Sequence, residues 1–199
     1  MRPAQRMGPA RPRGDDGLTL IETIVYALLL VVVVAIVAGI MISGTRTQAS
    51  VSTLNTATTS GQLAATSVQN GIRNARAFVL KTYGSDQLVV ASTVPSGATT
   101  TPACYAWYFS SSTGTLRYTK LTAAIAAQPS AATVASWTLL ASSVTTNGGP
   151  TIFARASSSD PMLSIAFATT AGAGKPVQFT SSVVSRLAGT DISSCYSGT

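Results

Sequence analysis

The chain has 199 residues, which is enough for one modest folded domain beside a membrane segment. It contains no histidine and only six acidic residues, so imidazole-based triads and metal sites are excluded, and we expect neither catalysis nor a cofactor. The formal net charge is +7, and the sequence after residue 43 is rich in Ser, Thr and Ala, which favours an exported domain over a cytosolic enzyme.

Residues 1–17 are rich in Pro and Arg and contain no residues that would form a core. This composition predicts a cytoplasmic leader, with the C-terminal part of the chain on the other side of the membrane by the positive-inside rule. An ordinary signal anchor or an uncleaved secretion signal remains an alternative interpretation of the same pattern.

Residues 18–42 form an apolar run that is interrupted by a single charge, Glu22. The run supplies the roughly 20 helical residues needed to cross a hydrocarbon core of about 30 Å. A carboxylate in such a segment costs at least ~2.5 kcal/mol and usually has a functional partner. We therefore expect Glu22 to pair with a cation that also lies in the membrane.

The N-terminal stretch Gly17-Leu18-Thr19-Leu20-Ile21-Glu22 and the apolar run behind it resemble the type IV pilin family, which includes the pseudopilins. The resemblance implies that a prepilin peptidase cuts between Gly17 and Leu18 and methylates the new amine of Leu18. It also implies that Glu22 is the assembly carboxylate, which pairs with the terminal amine of a neighbouring subunit. Major pilins often carry a proline near the middle of this helix and the present chain does not, which favours a minor subunit.

Helical periodicity continues beyond the apolar run and predicts one helix over residues 19–77. The expected organisation is a leader (1–17), a transmembrane or filament-core helix (18–42), its amphipathic continuation (43–80) and an extracytoplasmic head rich in β-strands (81–199). Two helices hinged at Ser43 and Gly44 are the alternative, because such pairs are common kink sites.

After residue 84 the pattern becomes that of strands. Expected strands cover residues 87–94, 104–109, 115–121, 151–156, 162–169 and 175–187, with hairpins across residues 110–114 and 157–161. Residues 122–136 predict a loop with at most one helical turn, and Tyr105 and Trp107 should share a face that Tyr108 does not. A long helix followed by an antiparallel sheet is an α+β fold.

Two cysteines, Cys104 and Cys195, both lie in the expected head. An even count in an oxidising compartment predicts a disulfide, and two buried free thiols are the alternative. We expect no metal site, because the chain lacks both histidine and a C-x-x-C spacing.

The resemblance implies a minor type IV pilin or a pseudopilin, a structural subunit that enters or primes a filament. Its partners would be prepilin peptidase, other pilin subunits, the assembly machinery and membrane lipid. It would be a single-pass membrane protein first and part of a cell-surface filament later. The alternatives are a pseudopilin of a type II secretion system, a plain anchored domain, and a filament-tip module that binds DNA or a surface. The candidate residues for a basic surface of that kind are Arg117, Lys120 and Arg155.

Overall fold

The computed structural model describes residues 19–93, 102–172, 175–187, 189 and 191–198. The chain divides into two compact units, Met1–Thr47 and Gln48–Thr199. Both units include part of helix α1, which spans Leu20–Arg73. The expected leader and the expected cleavage between Gly17 and Leu18 lie outside the described residues.

Helix α1 confirms the prediction of a single long helix. It is continuous through Ser43 and Gly44, which excludes a break at that pair. The hydroxyl of Thr45 donates to the backbone oxygen of Ile42, and that of Thr47 donates to the backbone oxygen of Ser43. These two polar side chains therefore form their hydrogen bonds within the helix itself.

The end of the helix differs from the prediction. Helix α1 stops at Arg73, where the Asn74 side chain donates to the Asn70 carbonyl at 2.9 Å, and the Arg76 amide donates to Ser92 O at 2.7 Å. The expectation of helix to residue 77, with a continuation to residue 80, was wrong for residues 74–80. The apolar residues there fit both helical and strand periodicity, and pairing with the neighbouring strand decides between them.

The first sheet is antiparallel and has five strands in sequence order among the described residues. They are β1 (Ala77–Tyr83), β2 (Asp86–Thr93), β3 (Ala103–Ser110), β4 (Thr115–Leu121) and β5 (Thr138–Ala141). The predicted hairpin of β3 and β4 is confirmed, and its turn uses Gly114 at a φ of 59°. The single helical turn, α2 (Ala131–Ala135), is also confirmed within the loop that precedes β5.

The second sheet is built on one long central strand, β8, which pairs antiparallel with the other three. Its members are β6 (Val144–Thr146), β7 (Phe153–Ala154), β8 (Met162–Thr169) and β9 (Val177–Val184). The predicted pairing of β7 with β8 is confirmed, and β9 is shorter than the predicted strand over residues 175–187. With α1, these sheets make the α+β fold that the sequence predicts.

The helix-side core lies between α1 and the two sheets. Small residues of α1 allow close approach, because Gly61 lies against the ring of Phe179 and Gly71 against the ring of Trp107, where a methyl group would overlap the ring. The members of this core are apolar and buried, and its large side chains include Ile72, Trp107, Leu116, Phe153, Leu163, Ile165 and Phe167.

The opposite face of the first sheet carries a second core, the tail-side core. Leu88, Val90 and Tyr108 pack there against Trp137 and against the C-terminal segment. Because both of its faces are covered, β2 is buried over nearly its whole length, which explains the run of four apolar residues at its centre, Leu88 to Ala91. Tyr108 lies on this face while Tyr105 and Trp107 lie on the helix side, as the alternation predicts.

Candidate functional site

The start of α1 holds the predicted assembly carboxylate, Glu22. Thr19 precedes the helix, and its Oγ1 and backbone O accept from the Glu22 amide at 3.3 and 2.9 Å. This Thr-x-x-Glu spacing is that of a capping box, which accepts glutamate or glutamine at its last position. Glu22 is partly buried as a residue, and its Oε1 accepts a hydrogen bond from Tyr26 Oη at 3.0 Å on the exposed side of the helix. Glu22 therefore combines a helix-capping position with a charge in an apolar segment.

The apolar surface around Glu22 is uncovered. Every large apolar side chain from residue 20 to residue 42 is exposed, from 47% at Val32 to 80% at Leu20. The helix is long and apolar enough to cross a membrane, which suits a membrane span and a signal anchor equally. An apolar surface of this extent has to be covered by lipid or by other protein chains.

The predicted processing residues, Gly17 and Leu18, lie outside the described residues, and their roles stay predictions. The first described residue, Thr19, follows them directly.

The structure confirms the predicted disulfide between Cys104 and Cys195. Their Cα atoms are 5.2 Å apart and 91 residues separate them in sequence. Both residues are fully buried in the tail-side core. Ile125 reinforces the attachment, since its amide donates to Cys195 O at 2.8 Å and its carbonyl accepts from the Ser197 amide at 3.0 Å. The C-terminal segment is therefore fixed to β3 by one covalent bond and to the loop after β4 by two backbone hydrogen bonds.

The three residues proposed for a basic surface do not form one. Arg117 and Lys120 are three residues apart on β4, so their side chains lie on opposite faces of the sheet. Arg117 donates from Nη1 to Ala135 O and Trp137 O at 3.0 and 2.9 Å, which fixes the loop before β5.

Arg155 is also engaged in internal contacts. It donates to the carbonyls of Asp160 and Phe78 and lies 4.0 Å from the centre of the Phe78 ring. Burial lowers its pKa, against a smaller opposing effect of Asp160. Phe78 and Lys120 share a row and a face of the first sheet, but three strand spacings, or about 14 Å, separate them. Arg117, Lys120 and Arg155 therefore do not form one basic surface, because the two arginines are held in contacts within the head.

Sequence reasoning missed a hydrogen-bonded carboxylate, Asp86, at the start of β2. Its Oδ1 accepts from the amide and the hydroxyl of Ser111, both at 2.8 Å, and its Oδ2 accepts from Tyr108 Oη at 2.9 Å. Burial acts to raise the pKa of Asp86, but the three hydrogen bonds together outweigh it and hold that pKa below 3.8. Burial and the Asp86 contact raise the pKa of Tyr108 to about 12.

Asp86 and Arg117 line a cleft of about 520 Å³ whose walls carry many hydroxyl groups. Its two charged side chains already bond the protein itself: Asp86 fixes the β3–β4 hairpin, and Arg117 fixes the end of α2. No signal in the local sequence reveals these contacts, because Ser111 lies 25 residues from Asp86.

A second cleft, which we call the aromatic cleft, has a volume of about 380 Å³ and lies between the end of α1 and the first sheet. Tyr105, Trp107 and Tyr118 form its aromatic wall, with ring centres 5.7–6.2 Å apart. The helix wall and rim consist of Ser67, Asn70, Gly71, Asn74 and Thr93. Alternation in the sequence placed two of these rings on one face, but the helix residues that complete the cleft could not be assigned from sequence.

Among the described residues, no three His, Cys, Asp or Glu side chains lie close enough together to hold a metal ion. Comparisons of the chain with protein-family models, curated proteins and solved structures found no match.

Proposed function

We propose that this chain is a minor subunit of a type IV pilus-like filament. In this proposal prepilin peptidase removes residues 1–17, and Leu18 becomes the methylated N-terminus. The exposed apolar part of α1 lies first in the membrane and then among the helices of the filament core. The observation that carries the proposal is a charged residue, Glu22, at the start of a helix whose large apolar side chains from residue 20 to residue 42 are all exposed.

The energetics of Glu22 favour a charged partner. A carboxylate at membrane depth costs at least ~2.5 kcal/mol, and the neutral hydroxyl of Tyr26 supplies one hydrogen bond without neutralising the charge. The amine of Leu18 on a neighbouring subunit would neutralise it. Losing one partner of such a buried pair typically costs about 3–5 kcal/mol, so a subunit in the wrong axial register would be disfavoured strongly.

The Cys104–Cys195 disulfide supports an extracytoplasmic head, because disulfides persist in oxidising compartments. The basic leader supports a cytoplasmic N-terminus. Together they support a single-pass protein with its head outside, which is the orientation that a subunit extracted from the membrane into a filament requires.

The test uses Glu22→Gln in the full-length chain, expressed in its native host. Glutamine serves a capping box as well as glutamate does, so this change removes the charge and keeps the start of the helix. We expect the variant to be inserted and cut normally, and to be depleted from the sheared filament fraction while it accumulates in the membrane. Intact mass and N-terminal sequencing follow the processing, and immunoblots of the two fractions follow the assembly.

The matched control is Tyr26→Phe, which removes the hydroxyl partner of Glu22 and keeps the charge; it should assemble. Glu22→Gln at the wild-type level in filaments would contradict the role of the charge. A mature chain that still begins at Met1 would identify an ordinary membrane anchor instead, whatever the fate of the variant.

A further inference from the structure

We propose that the aromatic cleft binds a pyranose ring of a neutral polysaccharide or glycan. The proposal concerns the head alone and does not depend on cleavage at Gly17 or on assembly into a filament. The volume of the aromatic cleft, about 380 Å³, lies near the lower end of the range of roughly 300–1,000 Å³ that is usual for small-ligand sites. It therefore suits one or two sugar rings.

The aromatic wall of the cleft is fixed before any ligand arrives. Trp107 is fully buried, packs against Gly71 and donates from Nε1 to Ser67 Oγ at 3.0 Å. Tyr105 stacks on it with ring planes 14° apart, and Tyr118 leans against both. Tyr105 and Tyr118 are partly exposed. The apolar C–H face of a pyranose would contact the accessible parts of Tyr105 and Tyr118, which the buried Trp107 holds in place, so little conformational entropy is lost on binding.

The polar groups at the rim are open to a ligand. Among the described residues, the Tyr105 and Tyr118 hydroxyls and the side-chain amide of Asn70 form no hydrogen bond within the protein, and Asn74 uses only its Nδ2. Hydroxyls and amides both donate and accept, which matches the ring hydroxyls of a sugar. By contrast, Asp86 and Arg117 in the larger cleft already bond the protein itself.

The charge of the aromatic cleft argues against a nucleic acid. All eight of its lining residues are neutral, and the Lys120 Nζ lies 5.5 Å from the centre of the Tyr105 ring. Aromatic rings also stack on bases, but affinity for nucleic acids depends mainly on several phosphate contacts. A neutral ligand rich in hydroxyls therefore fits the lining better.

The test is saturation-transfer-difference NMR on the full chain in polyoxyethylene detergent micelles, since alkyl glycoside detergents would compete. The probes are methyl β-glucopyranoside, methyl β-galactopyranoside and N-acetylglucosamine at millimolar concentration. We expect at least one probe to receive saturation, mainly on the C–H protons of one face of the ring. Asn70→Ala and Tyr105→Phe should each weaken binding about fivefold, which corresponds to one lost hydrogen bond.

Both variants keep the fold, because they change partly or fully exposed groups, and tryptophan fluorescence checks this. The matched control is Gln62→Ala, which removes an exposed amide from the same helix outside the cleft and should leave binding unchanged. Two results would overturn the proposal: no saturation of any probe beyond that seen with empty micelles, or saturation that Asn70→Ala and Tyr105→Phe leave unchanged. Binding of a DNA oligonucleotide that weakens steeply with salt and is lost in Tyr105→Ala would assign the cleft to a nucleic acid instead.

Discussion

Gln87→Leu should destabilise the head strongly, because the Gln87 side chain joins the two sheets. Gln87 belongs to β2 and is 1% exposed. Its Oε1 accepts from the amides of Ile152 and Phe153, both at 2.9 Å, and its Nε2 donates to Phe153 O at 2.8 Å. The side-chain amide therefore hydrogen-bonds the edge of β7 in the way that a peptide group of a neighbouring strand would.

The magnitude follows from the three backbone groups that leucine would leave unpaired. Ile152 and Phe153 are each 1% exposed, so water cannot replace the lost bonds easily. Each buried backbone group without a hydrogen-bond partner lowers the free energy of unfolding by about 1–3 kcal/mol. The additional apolar surface that leucine buries offsets about 1 kcal/mol of the total. We expect a net loss of about 2–8 kcal/mol, a large part of the 5–15 kcal/mol that is typical of whole domains.

The assay is denaturant unfolding in detergent, followed by tryptophan fluorescence, since Trp107 and Trp137 both lie in the head. Gln178→Leu on the exposed face of β9 is the control and should change the free energy of unfolding by less than about 0.5 kcal/mol. Gln87→Glu adds a pH test: its carboxylate would face Phe153 O, so stability should recover as acid protonates it. A Gln87→Leu loss under about 1 kcal/mol, or a Gln87→Glu variant without pH dependence, would refute the reasoning.

Two further changes act on the same head. Replacing Cys104 and Cys195 by alanine opens a closed segment with a sequence separation of 91 residues, and chain entropy predicts a loss of about 4–5 kcal/mol in the free energy of unfolding. Asp86 has a folded-state pKa below 3.8, so its contribution is complete above that pH and is lost as the pH falls below it. Wild-type stability should therefore fall more steeply than that of Asp86→Asn as the pH falls from about 4 to about 2, as denaturant titrations at each pH would measure.

Each of these expectations has a contrary result. Equal unfolding free energies for the oxidised wild type and the double alanine variant would show that the disulfide constrains little. Parallel pH profiles for wild type and Asp86→Asn would show that the hydrogen bonds from Ser111 and Tyr108 do not favour the ionised carboxylate.

The sequence predicted the features that depend on local periodicity and on the cysteine count. The long helix, the hairpins and the α+β order came from spacing alone, and two cysteines in an expected exported domain left one pairing. Residues 74–80 were assigned wrongly, because Ala75 and Val79 continue the helical spacing while Phe78 and Leu80 alternate as in a strand. Pairing of β1 with β2 settles that ambiguity, and it is a tertiary effect.

The features that the sequence did not reveal depend on long-range contacts. Gln87 bonds residues 65 and 66 positions away, and Arg155 reaches Phe78 across 77 positions. Neither residue type signals such a role, because Gln and Arg are ordinarily exposed. The basic surface failed as a prediction for the same reason, since a scattered charge in a sequence says nothing about which face of a sheet it will occupy.

The two glycine contacts of α1 have a mechanical consequence. Gly61 touches a ring of the second sheet and Gly71 a ring of the first. Ten residues of helix place these contacts about 15 Å apart along the axis and about 80° apart around it. A helix with one such contact could rotate about it. With two contacts on different sides, the helix can neither rotate nor slide unless Phe179 or Trp107 moves away from its glycine. A pull or a twist applied to this part of α1 is therefore shared between both sheets from the start, and the head resists it as one body.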